Sequence, residues 1–151
     1  AAPKSATLSD EQKLTELGID RIVPFVAARS VVRWDAERGR RQLSRLRKVA
    51  REAAMQSRRS WLPEVAEVQT VAAMVQTAGT SITRAEFGGA SPTLGHATVL
   101  IGPEGGWSPE EQSLVAHTTG FGEHVLRSET AAISAAAILA ALRGGIVHTN
   151  H

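Results

Sequence analysis

Residues Thr98 to Glu111 read Thr-Val-Leu-Ile-Gly-Pro-Glu-Gly-Gly-Trp-Ser-Pro-Glu-Glu. Gly102, Pro103, Gly105 and Gly106 make a turn whose backbone can take positive φ and lie bare against a ligand. The turn is not a phosphate loop. It lacks a Gly-Lys-Ser/Thr ending, and its glycines do not fit Gly-x-Gly-x-x-Gly. Glu104 would also repel a phosphate, so a ligand held here is cationic or neutral. On turn chemistry alone, a tight strand-to-helix connection that binds nothing is an equal reading. A second chemical feature is charge. Arg38 to Arg59 holds nine Lys or Arg residues and one acid, Glu52, for a segment charge of +8. The net charge of +2 then leaves −6 for the remainder. Such a stripe suggests a polyanion partner, with a solvated helix face as the alternative. The five histidines are scattered and there is no cysteine. Disulfides and thiolate metal sites are excluded, no metal is expected, and a reducing compartment fits.

The elements that must position these groups follow from local pattern. Thr98 to Ile101 is a short β-branched apolar run that suits a buried strand. After the turn, Ser108 can cap a helix, Pro109 takes its first position, and Glu111 completes a Ser-x-x-Glu capping box. Strand, glycine turn and helix in that order are where open α/β sheets place ligand sites. With 151 residues, 42% apolar and 21% charged, the chain reads as one soluble globular domain. No apolar run nears the ~20 residues that span a bilayer, and no apolar signal core opens the chain.

Glu11 to Leu17 reads as a helix stopped by Gly18. Arg21 to Val26 is a strand in which Pro24 marks an edge, an end or a bulge. Ser30 to Trp34 is a second apolar, extended patch. A long helix is expected from about Ala36 to Ser57, with Leu43, Leu46, Val49, Ala50, Ala53 and Ala54 on one face. Val68 to Thr77 reads as a helix, Thr80 to Phe87 as a strand, and Gly88 to Thr93 as a flexible connection. The helix opened by Ser108 is expected to run to about Thr118. The last helix, Glu129 to Leu142, is mostly alanine, which lets it pack closely on another backbone. Alternating strands and helices give an α/β fold with a mainly parallel sheet.

Four ordered segments resemble one family. They are Gln12-Lys13-Leu14-Thr15-Glu16-Leu17-Gly18, Arg51-Glu52-Ala53-Ala54 with Gln56-Ser57-Arg58-Arg59, Ile101-Gly102-Pro103-Glu104-Gly105-Gly106, and Val125-Leu126-Arg127-Ser128-Glu129-Thr130-Ala131. Ile22 to Phe25 and Arg29 to Val32 fit as well. Together they resemble the RsmE family, which methylates N3 of a uridine in 16S ribosomal RNA. The resemblance implies a SPOUT-type α/β domain with a C-terminal deep trefoil knot. It also implies S-adenosylmethionine as cofactor, the small ribosomal subunit or its 16S RNA as partner, a homodimer, and a cytoplasmic location. The family carries an N-terminal PUA-like domain, so residues 1–151 are expected to be the catalytic domain alone.

Carried over residue by residue, the resemblance makes Ile101, Gly102, Pro103, Glu104, Gly105 and Gly106 one cofactor loop. Leu126, Arg127, Ser128, Glu129, Thr130 and Ala131 make the second. Glu104 either faces the sulfonium cation or bonds the loop's own amides, the second being favoured. Ser128 or Thr130 would cap the last helix. Arg127 is the candidate for stabilising the uridine anion and Glu129 for positioning or proton transfer, against a buried structural ion pair between them. Arg33, Arg51, Arg58 and Arg59 are candidate phosphate contacts. One departure concerns the span from Phe121 to Leu126, which is too short for the strand and Leu-Gly turn of the family. An omitted segment is preferred over a shortened knot loop. Thr80 to Leu94 also matches the family poorly. The alternatives are another SPOUT RNA methyltransferase, a cofactor- and RNA-binding module inactive without its partner domain, a nucleotide-binding α/β enzyme, and a structural RNA-binding protein.

Overall fold

The computed structural model describes residues 8–30 and 35–148. Residues 31–34, with most of the patch read as extended and the candidate phosphate contact Arg33, lie outside them. Helix α1, Leu8–Glu16, is followed by the short strands β1, Arg21–Ile22, and β2, Phe25–Val26. They break at Val23-Pro24, where proline has no amide to give, while the Pro24 carbonyl accepts from Gln69 at 3.0 Å.

Helix α2 spans Ala36–Gln56. Asp35 caps it by accepting from the Arg38 amide at 2.7 Å. Leu43, Leu46, Ala50, Ala53 and Ala54 form its buried stripe. It ends in a Schellman motif, with the Arg58 amide on the Met55 carbonyl and the Arg59 amide on that of Ala54. Strand β3, Glu64–Val65, then pairs in parallel with β1, and β4, Gln69–Thr70, with β2. Helix α3 is Val71–Ala78. It starts later than the apolar pattern indicated, because Thr70 caps it through the Ala73 amide at 3.1 Å.

Strand β5, Ile82–Ala90, is the middle of a parallel three-stranded sheet in the order β6-β5-β7, with β6 at Thr98–Leu100 and β7 at Thr118–Thr119. Thr119 pairs with both Ala85 and Ala90, so residues 86–89 bulge out between them. Gly88 to Ala90, read as a flexible connection, therefore belong to the strand. The bulge returns Ala90 to the level of Ala85. That lets residues 91–97 reach β6 with only a 3-10 turn at Leu94–His96, where a parallel connection ordinarily needs a helix.

Helix α4, Pro109–Leu114, is shorter than expected, because residues 118–119 are drawn into β7. Helix α5, Ser128–Arg143, closes the fold. The main core gathers Phe25, Val71, Met74, Ile82, Leu100, Trp107 and Val115, and a second cluster lies under α2. Helix α1 packs on α2 and α5, and α3 on α4. Among the described residues, no helix is long and apolar enough to cross a membrane.

Candidate functional site

The glycine turn leaves the end of β6 and is fixed on three sides. The Gly106 amide donates back to the Pro103 carbonyl at 2.9 Å, with Gly106 at φ +73. A side chain at Gly102 would come within 2.9 Å of the Trp107 ring, so only glycine fits there. Trp107 is buried, stacked on Phe25 at 6.0 Å between centroids, and has the Arg84 guanidinium 5.9 Å away on its ring. On the far side, Gly105 rests against Arg29, whose Nη1 reaches the Gly105 carbonyl at 3.4 Å.

The capping box forms as read. The Glu111 amide donates to Ser108 Oγ at 3.2 Å, and the Ser108 amide to Glu111 Oε2 at 2.9 Å. Glu111 does more than cap, however. Its Oε1 accepts from the Ala28 amide at 2.8 Å, tying the turn to the residues after β2.

The two candidate loops meet. Ser128 Oγ donates to the Gly102 carbonyl at 2.8 Å, joining the glycine turn to the start of α5. Ser128 is therefore not the cap of α5. That position falls to Arg127, whose side chain makes no capping bond. Thr130 lies inside the helix, so it does not cap it either. Arg127 is exposed, which removes the buried ion pair with Glu129. Leu126 packs beside Gly122. Glu104 is exposed at the turn's tip, and among the described residues its carboxylate takes no hydrogen bond from the loop amides. The structural role favoured for it is absent.

Behind the junction lies a cavity of about 830 Å³, reached by Ile101, Ser128 and Glu129 and walled by Ala132, Ala135 and Ala136. Ala132, Ala135, Ala136 and Ala140 of α5 line this space, while the helix also packs on α1; of these alanines Ala135 and Ala136 are buried. Residues 122–127 form a loop with no strand.

The candidate phosphate contacts are not one group. Arg51 and Arg58 are exposed on α2 and at its end. The Arg59 side chain is only 9% exposed, and its guanidinium donates to the carbonyls of Thr15 and Ile19 at 3.0 and 2.9 Å. It is a structural cation, committed to backbone carbonyls where the other two are exposed. Sequence reasoning missed Arg84, 5% exposed in β5. Its Nε donates to the Val115 carbonyl at 2.6 Å and its Nη1 pairs with Glu86 at 2.8 Å. The available signal was the alternation Ile82, Arg84, Glu86, which puts a cation on a core-facing position.

Comparison with known proteins identifies the family. Residues 9–140 match the RNA methyltransferase domain family. The ribosomal RNA small subunit methyltransferase E of Bacillus subtilis is 33% identical over 144 residues, covering 82% of this chain and 56% of the relative. A solved structure of that enzyme from Neisseria gonorrhoeae, bound to S-adenosyl methionine, superposes with a TM-score of 0.78 at 25% identity, covering 93% of this chain and 63% of the other. A putative methyltransferase from Legionella pneumophila, in complex with bound cofactor SAM, gives 0.78 at 28% identity over 91% and 62% of the two chains. The chain spans just over half the length of the Bacillus relative. By sequence, it belongs to the RNA methyltransferase domain family.

Proposed function

We propose that this domain carries the methyl-transfer site of an S-adenosylmethionine-dependent enzyme acting on N3 of a uridine in 16S ribosomal RNA. The observation that carries the proposal is the Ser128 Oγ to Gly102 carbonyl bond, because it fuses the two loops into one cradle. The cradle suits the cofactor in chemistry. Its turn is bare backbone beside an exposed carboxylate, Glu104, that has no cationic partner among the described residues, and such a surface favours a cationic group over a phosphate. When bound, S-adenosylmethionine supplies an electrophilic methyl group on a sulfonium.

Residues 101–106 and 126–131 would hold the cofactor through main-chain groups, with Ser128 fixing the spacing between them. The protein must also orient the base and remove the N3 proton. Arg127 is exposed and immediately precedes α5, and in this reading its guanidinium stabilises a uridine anion. Glu129, one residue into the cavity wall, serves for positioning or proton acceptance. A base in structured RNA must leave its stack to reach such a site. Arg51 and Arg58 supply phosphate contacts in this reading, and Arg33 is kept from the sequence. The trefoil knot, the homodimer and the cytoplasmic location are part of the same proposal, supported by the family resemblance.

Calorimetric titration with S-adenosylmethionine, NAD and ATP tests it. Binding of the first alone is expected, and binding of either nucleotide in its place overturns the proposal. Transfer of labelled methyl to small-subunit particles separates an active domain from a binding module. RNA affinity should fall as salt rises, and a flat response removes the phosphate contacts.

A further inference from the structure

We infer that Trp61, just beyond the C-terminal end of α2, is a stacking platform for an unpaired RNA base, with Arg58 and Arg51 holding the adjoining phosphates. Trp61 is 58% exposed, yet it is not loose. Its indole N–H donates to Asp20 Oδ1 at 3.0 Å, and the Arg59 guanidinium carbon lies 5.6 Å from the ring centroid. Arg59 is itself fixed by two backbone carbonyls. The ring is thus oriented by polar contacts at its edge and by a cation, while much of its apolar surface stays in water. A preoriented aromatic loses little freedom on binding, and every base offers a face to stack on it. Leu62, next in the chain, is also exposed, at 54%.

The surroundings select RNA over a protein partner. Arg21 and Arg47 nearby are each matched by a glutamate, Glu64 and Glu67. Arg51 and Arg58 are exposed and, among the described residues, have no carboxylate partner. Arg51 also lines a cleft of about 540 Å³ with Leu62. Arg58 sits at φ +53, a left-handed position where helices usually end in glycine. Keeping an arginine there maintains a cation at the helix end against the backbone preference. The segment's one acid is Glu52 against nine bases. Unpaired cations beside a fixed, exposed indole match a single strand of phosphates and bases.

The inference rests on the proposed function for the source of the RNA, but its test does not require methyl transfer. A short oligouridylate should quench the intrinsic tryptophan fluorescence, and linear polyphosphate should not. Trp61→Phe should lose most of that quenching while keeping affinity within a few-fold. Trp61→Ala should weaken oligouridylate binding roughly 5- to 100-fold, with binding of polyphosphate and of S-adenosylmethionine unchanged. Arg58→Gly should raise the thermal midpoint by relieving the left-handed strain, and should weaken both polyanions. Unaltered quenching in Trp61→Phe overturns the inference, as does wild-type oligouridylate affinity in a folded Trp61→Ala. If Trp61→Ala fails to fold, the Trp61→Phe quenching still decides. Failure of the wild type to bind S-adenosylmethionine removes the methyltransferase reading and leaves the stacking inference standing.

Discussion

Ser128 shows how one hydroxyl can set a site. It holds the Gly102 carbonyl at 2.8 Å across 26 residues of sequence. Ser128→Ala removes that bond and lets the two loops separate. Such a bond contributes on the order of 1 kcal/mol, so S-adenosylmethionine should bind about fivefold more weakly by calorimetry. An unchanged affinity would mean that the loops do not form one cradle. Glycines act at the same scale by two different means. A side chain at Gly89 would lie 2.7 Å from the backbone of Thr119, with no flexible neighbour to yield. Gly106 has open space around it and requires only φ +73. Gly89→Ala should therefore be the more damaging in urea denaturation, at about 3 kcal/mol or more. Gly106→Ala should cost about 1–2 kcal/mol.

At the level of elements, Glu111 joins a local signal to a distant one. Both oxygens of its buried carboxylate accept amides, one from Ser108 and one from Ala28. Glu111→Gln should destabilise nearly as much as Glu111→Ala, because the new NH2 would face an amide donor. A loss of about 2–4 kcal/mol is expected, measured in urea; a silent Glu111→Gln would show that one of the two bonds carries nothing. The cap itself was legible, since Ser108, Pro109 and Glu111 are neighbours. So was α2, whose 21 residues repeat one apolar stripe. The bond to Ala28, 83 residues away, left no local trace. The end of α4 was misjudged for the same reason. Arg84 takes the Val115 carbonyl from 31 residues upstream, and residues 118–119 pair with β5. Strands of two residues, such as β3 and β7, are too short to show a period. The glycine turn was readable as a strand-to-helix connection unlike a phosphate loop, whereas its meeting with residues 126–131 was indicated only by family resemblance.

For the whole molecule, the beginning and end of the fold are clamped at Asp20. Its carboxylate accepts from Trp61 at 3.0 Å and from Arg143 at 2.6 Å, with Arg59 at 3.5 Å. Arg143 also reaches the Gly18 carbonyl at 2.6 Å, so α5 is tied to the turn after α1. Partial burial raises the Asp20 carboxyl, but the Trp61 and Arg143 hydrogen bonds and the Arg143 and Arg59 charges outweigh it and hold it below its ordinary 3.8. Glu11, on the helix that leads into this turn, behaves oppositely. Burial first, and Asp10 second, push it from 4.5 up to about 7, and among the described residues its Oε2 has no hydrogen-bond partner. The two linkages have opposite signs. Asp20 stabilises the fold above its unfolded value, and that stability is lost as pH falls through its lowered value. Glu11 binds its proton more tightly when folded, so its contribution is full below 4.5 and is lost as pH rises to about 7. Glu11 is 4% exposed, so that loss is on the order of 3 kcal/mol. Glu11→Gln cannot ionise. Relative to wild type it should therefore gain stability between about pH 4 and about pH 7.5 in urea denaturation, whereas Asp20→Asn should differ most from wild type at the neutral end and least in acid. Parallel pH curves for wild type and Glu11→Gln would mean that the carboxyl meets water or a base between α1 and α2. Both groups are fully favourable together only near pH 4, so this end of the molecule is held less firmly at neutral pH than in mild acid.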